Sequence, residues 1–170
     1  MKVLIVVDMQ NDFIDGSLGS TEAIKIVPNV INKIKEYEDT NQLIYYTKDT
    51  HFNDYLQTPE GKKLPVEHCI KGTDGWNIPK DILRNNDNVI EKYTFGSVDL
   101  FEELKKINNL ESIELIGLCT DICVVSNALL AKAYFPNIQI TVDSTCCAGV
   151  TPESHNKAID TMKMCQIDIK

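Results

Sequence analysis

Basic residues are scarce in this chain of 170 residues: 17 Lys and Arg residues stand against 25 Asp and Glu residues, so the formal net charge is −8. The basic residues are also scattered, with never more than two adjacent. A protein that binds a nucleic-acid backbone needs a concentrated basic face. We therefore expect no nucleic-acid partner.

Long hydrophobic runs are also absent. The opening run Val3–Val7 has five apolar residues and ends at Asp8, so it is too short for the apolar region of a signal peptide or for a membrane span. Hydrophobic residues make up 43% of the chain and charged residues 25%, which is typical of a globular protein. We expect a single domain over residues 1–170, located in the cytoplasm and without a membrane partner.

The six cysteines lack the paired C-x2-C spacing of a structural zinc site. Nothing in the sequence suggests secretion, and a chain of this length can bury a core without disulfides. Most of the cysteines are therefore expected to be small buried thiols. Cys123 is the exception, because its position in the sequence is that of a candidate nucleophile.

Short apolar runs alternate with longer amphipathic stretches along the chain. Such runs, rich in Val and Ile, are typical of strands that are buried on both faces. The predicted strands are Val3–Val7, Leu43–Thr47, Asn88–Ile90, Ser112–Leu118, Ile138–Val142 and a weak Gln166–Ile169, and the predicted helices are Pro28–Glu38, Val98–Ile107, Asp121–Tyr134 and Pro152–Met164. This alternation predicts an α/β fold with a parallel sheet and helices on both faces. The polar segment 48–80 interrupts it, and a loop of that length is usually functional.

Four separate segments bring reactive side chains to the ends of predicted strands. Asp8 ends the first strand, Asp49 follows the second, Lys92 follows the third, and Gly117–Cys123 follows the fourth. Ligands bind outside the carboxyl ends of the strands in sheets of this kind. We therefore expect a thiol, carboxylates and an ammonium group to meet at one edge of the sheet.

Cys123 is the candidate nucleophile at that edge. The helix after the fourth strand is expected to begin at Thr120 or Asp121, either of which can cap it, so that Cys123 lies in the first turn. The free N–H groups of that turn, with the Lys92 ammonium, would stabilise a thiolate and receive an oxyanion. A nearby carboxylate, Asp8, could take the thiol proton. From this segment alone, a small core residue remains the alternative.

A candidate metal site lies in the polar segment. Asp49-Thr50-His51 places a carboxylate and an imidazole two residues apart, and His68 follows later in the same segment. With Glu60 as a further candidate, these residues offer the nitrogen and oxygen ligands that suit Zn, Mn or Fe. The spacing alone leaves open that the Asp-x-His pair only closes a turn.

Taken together, these motifs resemble the cysteine hydrolase superfamily of nicotinamidases and isochorismatase-like enzymes. Val7-Asp8-Met9-Gln10-Asn11-Asp12-Phe13 is similar to the first signature of the family, and Gly117–Val124 is similar to its nucleophile turn. Lys92 stands where the family has its catalytic lysine. The resemblance covers nearly the whole chain and implies a Rossmann-like three-layer α/β/α sandwich with a mostly parallel six-stranded sheet.

The resemblance also implies roles for individual residues. Asp8 would be the general acid and base, Lys92 the catalytic lysine, and Cys123 the attacking nucleophile. The peptide bond between Leu118 and Cys119 would be cis, and the backbone N–H groups of Cys119 and Cys123 would form the oxyanion hole.

Nicotinamidases bind a divalent metal through a D-x-H motif and a later histidine in an H-C-x-x-G-T segment. Both elements stand here as Asp49, His51 and His68. The resemblance therefore implies a divalent ion, with zinc expected first and Mn or Fe as alternatives, and Glu60 is the candidate for a further ligand. Such an ion would act as a Lewis acid that orients a pyridine nitrogen.

A flat aromatic amide needs apolar walls around it. Phe13 is the first candidate for such a wall, and Tyr93, Phe95 and Trp76 are further candidates. Some family members have a tryptophan a few residues before the metal histidine, where this chain has Leu64-Pro65-Val66. One wall of the substrate pocket is therefore unassigned.

The predicted activity is hydrolysis of nicotinamide to nicotinate and ammonia through a thioester. One alternative keeps the same catalytic residues but acts on another amide, a carbamoyl compound or a vinyl ether such as isochorismate. Another is a non-catalytic binding module. The sequence also leaves open whether the chain forms a homo-oligomer.

Overall fold

The computed structural model describes residues 1–84 and 88–170 and is built around a six-stranded sheet. The strands are β1 (Lys2–Val7), β2 (Leu43–Asp49), β3 (Val89–Lys92), β4 (Ser112–Leu118), β5 (Gln139–Ala148) and β6 (Asp168–Ile169). Their order across the sheet is β3-β2-β1-β4-β5-β6. The predicted α/β fold is confirmed, and the described strands pair in parallel throughout rather than mostly.

Helices cover both faces of the sheet. They are α1 (Asn11–Ile14), α2 (Thr21–Asp39), α3 (Pro59–Lys63), α4 (Val98–Leu104), α5 (Val125–Tyr134) and α6 (Pro152–Met164), with a 3₁₀ turn at Tyr55–Gln57 and a π-helical turn at Thr120–Val124. In the described parts of the chain, no helix is both long enough and apolar enough to cross a membrane.

The central strand β1 contributes to two hydrophobic cores. Val3, Ile5 and Val7 pack with the buried residues of α4, α5 and α6, whereas Leu4 and Val6 pack with those of α2. Side chains alternate between the two faces of a strand. A strand with a core on each side must therefore be apolar at every position, as the opening run of the sequence is.

Helix α2 is longer than predicted. It begins at Thr21 rather than at Pro28, because the Ser20 side chain accepts a hydrogen bond from the Ala23 N–H and caps it there. Pro28 therefore lies inside the helix instead of in its first turn. The prediction was wrong because proline at a helix start is the commoner arrangement.

Other boundaries also differ from the sequence prediction. Strand β5 extends to Ala148, six residues past the predicted end, because Cys147 and Ala148 pair with Gly117 and Leu118 of β4 beyond a shift in the register. Helix α4 ends at Leu104 rather than at Ile107. Helix α6 has its predicted bounds, and Thr151 caps it as expected.

Strands β2 and β3 both extend further than predicted, to Asp49 and Lys92. These two residues are direct neighbours in the strand pairing. Neighbouring positions on adjacent parallel strands point to the same face of the sheet. The register therefore brings the carboxylate of Asp49 and the ammonium group of Lys92 together.

Candidate active site

The Lys92 ammonium group is the centre of a buried cluster at the carboxyl edge of the sheet. Its Nζ lies 2.7 Å from Asp8 Oδ2, 2.9 Å from Asp49 Oδ1 and 3.5 Å from Cys123 Sγ. Each of these four residues is at most 4% exposed. The structure thus brings together the four side chains that the sequence placed at the ends of separate strands.

Asp8 has one carboxylate oxygen that is fully engaged and one that is not. Oδ1 accepts a hydrogen bond of 2.6 Å from the Thr47 hydroxyl. Oδ2 is in the ion pair with Lys92, yet no group of the described residues is in hydrogen-bonding geometry with it. Burial raises the pKa of Asp8 above its ordinary value, and the Lys92 charge only partly offsets this rise. This carboxylate is therefore well suited to take up a proton.

Lys92 keeps its positive charge in spite of its burial. Burial by itself would lower the pKa of the ammonium group, but the neighbouring Asp8, Cys123 and Asp49 raise it well above its ordinary value. A permanent cation in a buried site stabilises negative charge that develops next to it. Lys92 can therefore stabilise charge on the sulfur but cannot easily donate a proton.

The electrostatics of Cys123 differ from the sequence prediction. Burial raises the pKa of the thiol well above its ordinary value, the Asp8 carboxylate raises it further, and Lys92 counteracts both only in part. This shift runs against the stabilised thiolate that the sequence led us to expect. A protonated thiol beside a carboxylate with a raised pKa fits transfer of the proton during attack.

The turn that carries Cys123 begins with an unusual backbone. The peptide bond between Leu118 and Cys119 is cis, as the family resemblance implied. The Val124 N–H then donates to the Cys119 carbonyl over 3.0 Å, which closes a π-helical turn. Turns of this kind occur frequently at functional sites.

The predicted caps of this helix are wrong. Cys119 occupies the N-cap position and makes no side-chain capping bond. The Thr120 hydroxyl lies 2.8 Å from His155 Nδ1, and the Asp121 carboxylate accepts from the Val150 N–H over 3.2 Å. Both candidate caps thus contact the segment after β5 instead of the helix start.

The expected metal ligands form one compact group. The ligand atoms of Asp49, His51, Glu60 and His68 all lie within 4.8 Å of one another. His51 Nε2 is 3.0 Å from Asp49 Oδ2, and Glu60 Oε1 is 3.7 Å from His51 Nε2 and 3.9 Å from His68 Nε2. Two carboxylates and two imidazoles at these separations fit a divalent transition metal.

Supporting contacts orient two of these ligands. His68 Nδ1 is 2.8 Å from the Val66 carbonyl, which directs Nε2 towards the group. Buried Gln10 accepts from the Asp49 N–H over 2.7 Å and donates to the Asp49 carbonyl over 2.9 Å. Gln10 stands within the first family signature, and only the fold places its side chain beside Asp49 and so reveals this role.

A cavity of about 820 Å³ opens onto this cluster. Cys123, Asp49, Glu60 and His68 line it, and its exposed lining is mostly apolar. The candidate walls Phe13, Tyr93 and Phe95 also line it, together with Leu18, Leu64, Leu118, Ile122 and Val150, which the sequence did not single out as walls. Such a cavity suits a small ligand with a flat apolar body.

Trp76 does not line this cavity, so its prediction as a wall is wrong. Its ring lies under the Lys48 ammonium group, which is 2.9 Å from the ring centroid, and its Nε1 donates to the Thr50 hydroxyl. Leu64 lines the cavity, in the stretch Leu64-Pro65-Val66 where the family resemblance left one wall without an aromatic candidate. The wall that the sequence left unassigned therefore includes a leucine.

The Isochorismatase domain profile matches residues 2–169. This chain belongs to the isochorismatase family. The family membership that the motifs suggested is thus confirmed, and the similar proteins within the family include nicotinamidases.

Similarity to individual family members extends over nearly the whole chain. A nicotinamidase of Schizosaccharomyces pombe is 28% identical, with 98% of this chain and 91% of that protein covered. The isochorismatase family protein PncA of Bacillus subtilis is 30% identical, with 93% and 92% covered. The crystal structure of a Pyrococcus horikoshii pyrazinamidase in complex with zinc superimposes with a TM-score of 0.84 at 26% identity and covers 99% and 98% of the two chains.

Proposed function

We propose that this isochorismatase family member is a cysteine amidohydrolase that converts nicotinamide to nicotinate and ammonia. The observation that carries the proposal is the double role of Asp49. One of its oxygens contacts Lys92 beside Cys123, and the other contacts His51 in the metal-ligand group. A nucleophile and a metal site that share one buried carboxylate can act on two parts of the same small substrate.

The first half of the reaction forms a thioester on Cys123. Asp8 takes the thiol proton as Sγ attacks the amide carbonyl carbon, and Lys92 stabilises the charge that develops on sulfur. The backbone N–H groups of Cys119 and Cys123 donate to the oxyanion. When the tetrahedral intermediate collapses, the carbon–nitrogen bond breaks and Asp8 returns its proton to the leaving ammonia.

The second half releases the acid. Asp8 is again a carboxylate. It takes a proton from a water molecule as the water oxygen attacks the thioester carbonyl carbon. The carbon–sulfur bond then breaks, and the proton on Asp8 returns to the Cys123 sulfur. The product leaves as nicotinic acid and loses its proton to the solvent to become nicotinate, and the resting thiol is restored.

Asp49, His51, His68 and Glu60 are proposed to hold the divalent ion, with zinc as the first candidate. The donor set supports this assignment, as does the zinc complex of the similar pyrazinamidase. A bound ion would supply Lewis-acid binding of the pyridine nitrogen. Phe13, Tyr93 and Phe95 are proposed as walls for the aromatic ring.

Ammonia release from nicotinamide tests this function directly. The wild type and a Cys165→Ala control, which removes an exposed thiol away from the cavity, should both release ammonia. Cys123→Ala should release none while keeping the circular dichroism spectrum of the wild type. A Cys123→Ala variant with wild-type activity would refute the mechanism.

A requirement for metal distinguishes nicotinamide hydrolysis from the alternative activity on another amide, a carbamoyl compound or a vinyl ether. Chelator treatment should abolish nicotinamide hydrolysis, and added zinc should restore it. A wild-type enzyme that needs no metal and hydrolyses a different amide or a vinyl ether instead would favour the other branch of the family.

A further inference from the structure

The nucleophile turn, defined here as Thr120–Val124, lacks a side-chain cap of its own. Its N-cap residue Cys119 makes no such bond. Caps normally satisfy the free N–H groups of a helix start and fix where the helix begins. The position of this turn, and of the Cys123 sulfur within it, therefore depends in part on contacts from other segments of the chain.

Two contacts from the segment that follows β5 reach this turn. Thr120 is fully buried, and its hydroxyl lies 2.8 Å from His155 Nδ1. The Val150 N–H is shared between the two carboxylate oxygens of Asp121, each 3.2 Å away. The first two residues of the turn are thus held by α6 and by the loop that precedes it.

The first of these contacts depends on a close approach between chain segments. A Cβ atom on Gly149 would lie 2.9 Å from both the Cβ and the backbone nitrogen of His155, so a larger residue would push the loop and α6 apart. Burial also lowers the pKa of His155, which favours a neutral imidazole whose Nδ1 can accept the Thr120 hydroxyl hydrogen. The charged group facing it is the carboxylate of Asp121.

We propose that Thr120 and His155 are positioning residues, whose hydrogen bond holds the nucleophile turn so that the Cys123 sulfur stays beside Lys92 and Asp8. Neither residue carries out a chemical step. Their effect on turnover rests on the proposed amidase function, in which Cys123 attacks the substrate. A small displacement of a reacting atom costs much more in rate than in binding.

The test compares variants that remove or keep the hydroxyl group. Thr120→Val has nearly the same shape but no donor, and we expect its kcat for nicotinamide to fall about 10- to 100-fold, with a much smaller change in KM. Thr120→Ser keeps the donor and should stay close to the wild type. Thr161→Val, on the exposed side of α6, is the matched control for the loss of a threonine hydroxyl.

Iodoacetamide labelling of Cys123 without substrate gives a second readout, with the exposed Cys165 as internal reference. When the turn is no longer fixed, the buried thiol becomes more accessible, so Thr120→Val should label faster at Cys123 while Cys165 is unchanged. His155→Leu should behave like Thr120→Val, and the double variant should be no worse than either single variant.

Several results would overturn the proposal. One is wild-type kcat and labelling in Thr120→Val, and another is an equal loss in Thr120→Ser, which would indicate packing rather than the hydrogen bond. Additive losses in the double variant would show that the two residues act separately. A wild type that releases no ammonia would refute the amidase function instead, and the labelling comparison would still test the positioning role.

Discussion

The Asp8→Asn substitution separates two effects of this carboxylate that act in opposite directions. As a base, Asp8 is needed for turnover, so kcat should fall by about 10²- to 10⁴-fold. As a negative charge, it opposes ionisation of Cys123, because the Asp8 carboxylate raises the pKa of that thiol. The variant should therefore be a poor enzyme with a more reactive cysteine.

The size of the second effect follows from the geometry around Lys92. Asp8 Oδ2 and Cys123 Sγ lie 2.7 Å and 3.5 Å from the same Nζ, so they are at most about 6 Å apart. Two unit charges at that distance repel by about 3 kcal/mol at an effective dielectric constant of about 20. Each 1.4 kcal/mol changes the thiolate population about tenfold. Because relaxation of the protein around the charges reduces this repulsion, we expect Cys123 in Asp8→Asn to be labelled at least about tenfold faster than in the wild type.

The assay measures iodoacetamide labelling at pH 7.5 by peptide mass spectrometry. The wild type and Asp8→Asn are both stripped of metal beforehand, so that the charge difference between them is limited to residue 8. Labelling of the exposed Cys165 serves as the internal reference, and Cys123→Ala identifies the peptide. Labelling of Cys123 that slows in parallel with turnover would refute the reasoning, because Asp8 would then promote ionisation of the resting thiol.

Three further predictions concern stability. Lys92→Met leaves buried Asp8 and Asp49 without their cation, so urea unfolding of the metal-free protein should show a loss of about 3–5 kcal/mol. Zinc at about 100 times its Kd should raise the free energy of unfolding by about 2.7 kcal/mol, and His68→Ala should remove that gain. Although burial opposes it, hydrogen bonds from Thr145 and Lys33 lower the pKa of Asp143. The stability advantage of the wild type over Asp143→Asn should therefore be complete above about pH 5 and shrink as pH falls through the lowered pKa. A difference in the free energy of unfolding between the wild type and Asp143→Asn that stays constant with pH would contradict this prediction.

The sequence by itself determined the fold class and the candidate catalytic and metal-ligand residues that meet at the site. The run Val3–Val7 predicted a strand buried on both faces, since short continuous runs rich in Val and Ile are typical of such strands. The Thr151-Pro152 pair predicted the start of α6 correctly. Such features depend on residues that are neighbours in the chain. Because the carboxyl ends of parallel strands meet at one edge of the sheet, the reactive side chains that follow them were expected at that edge.

Only the tertiary structure decided the direction in which the pKa of Cys123 is shifted and the surroundings of Trp76. The pKa of a thiol depends on its burial and on its distance to charges that are remote in sequence, here Asp8 and Lys92. Likewise, whether an aromatic ring lines a cavity or lies under Lys48 depends on how a long loop folds back. These properties depend on distances between residues that are far apart in the sequence, so local sequence patterns cannot predict them.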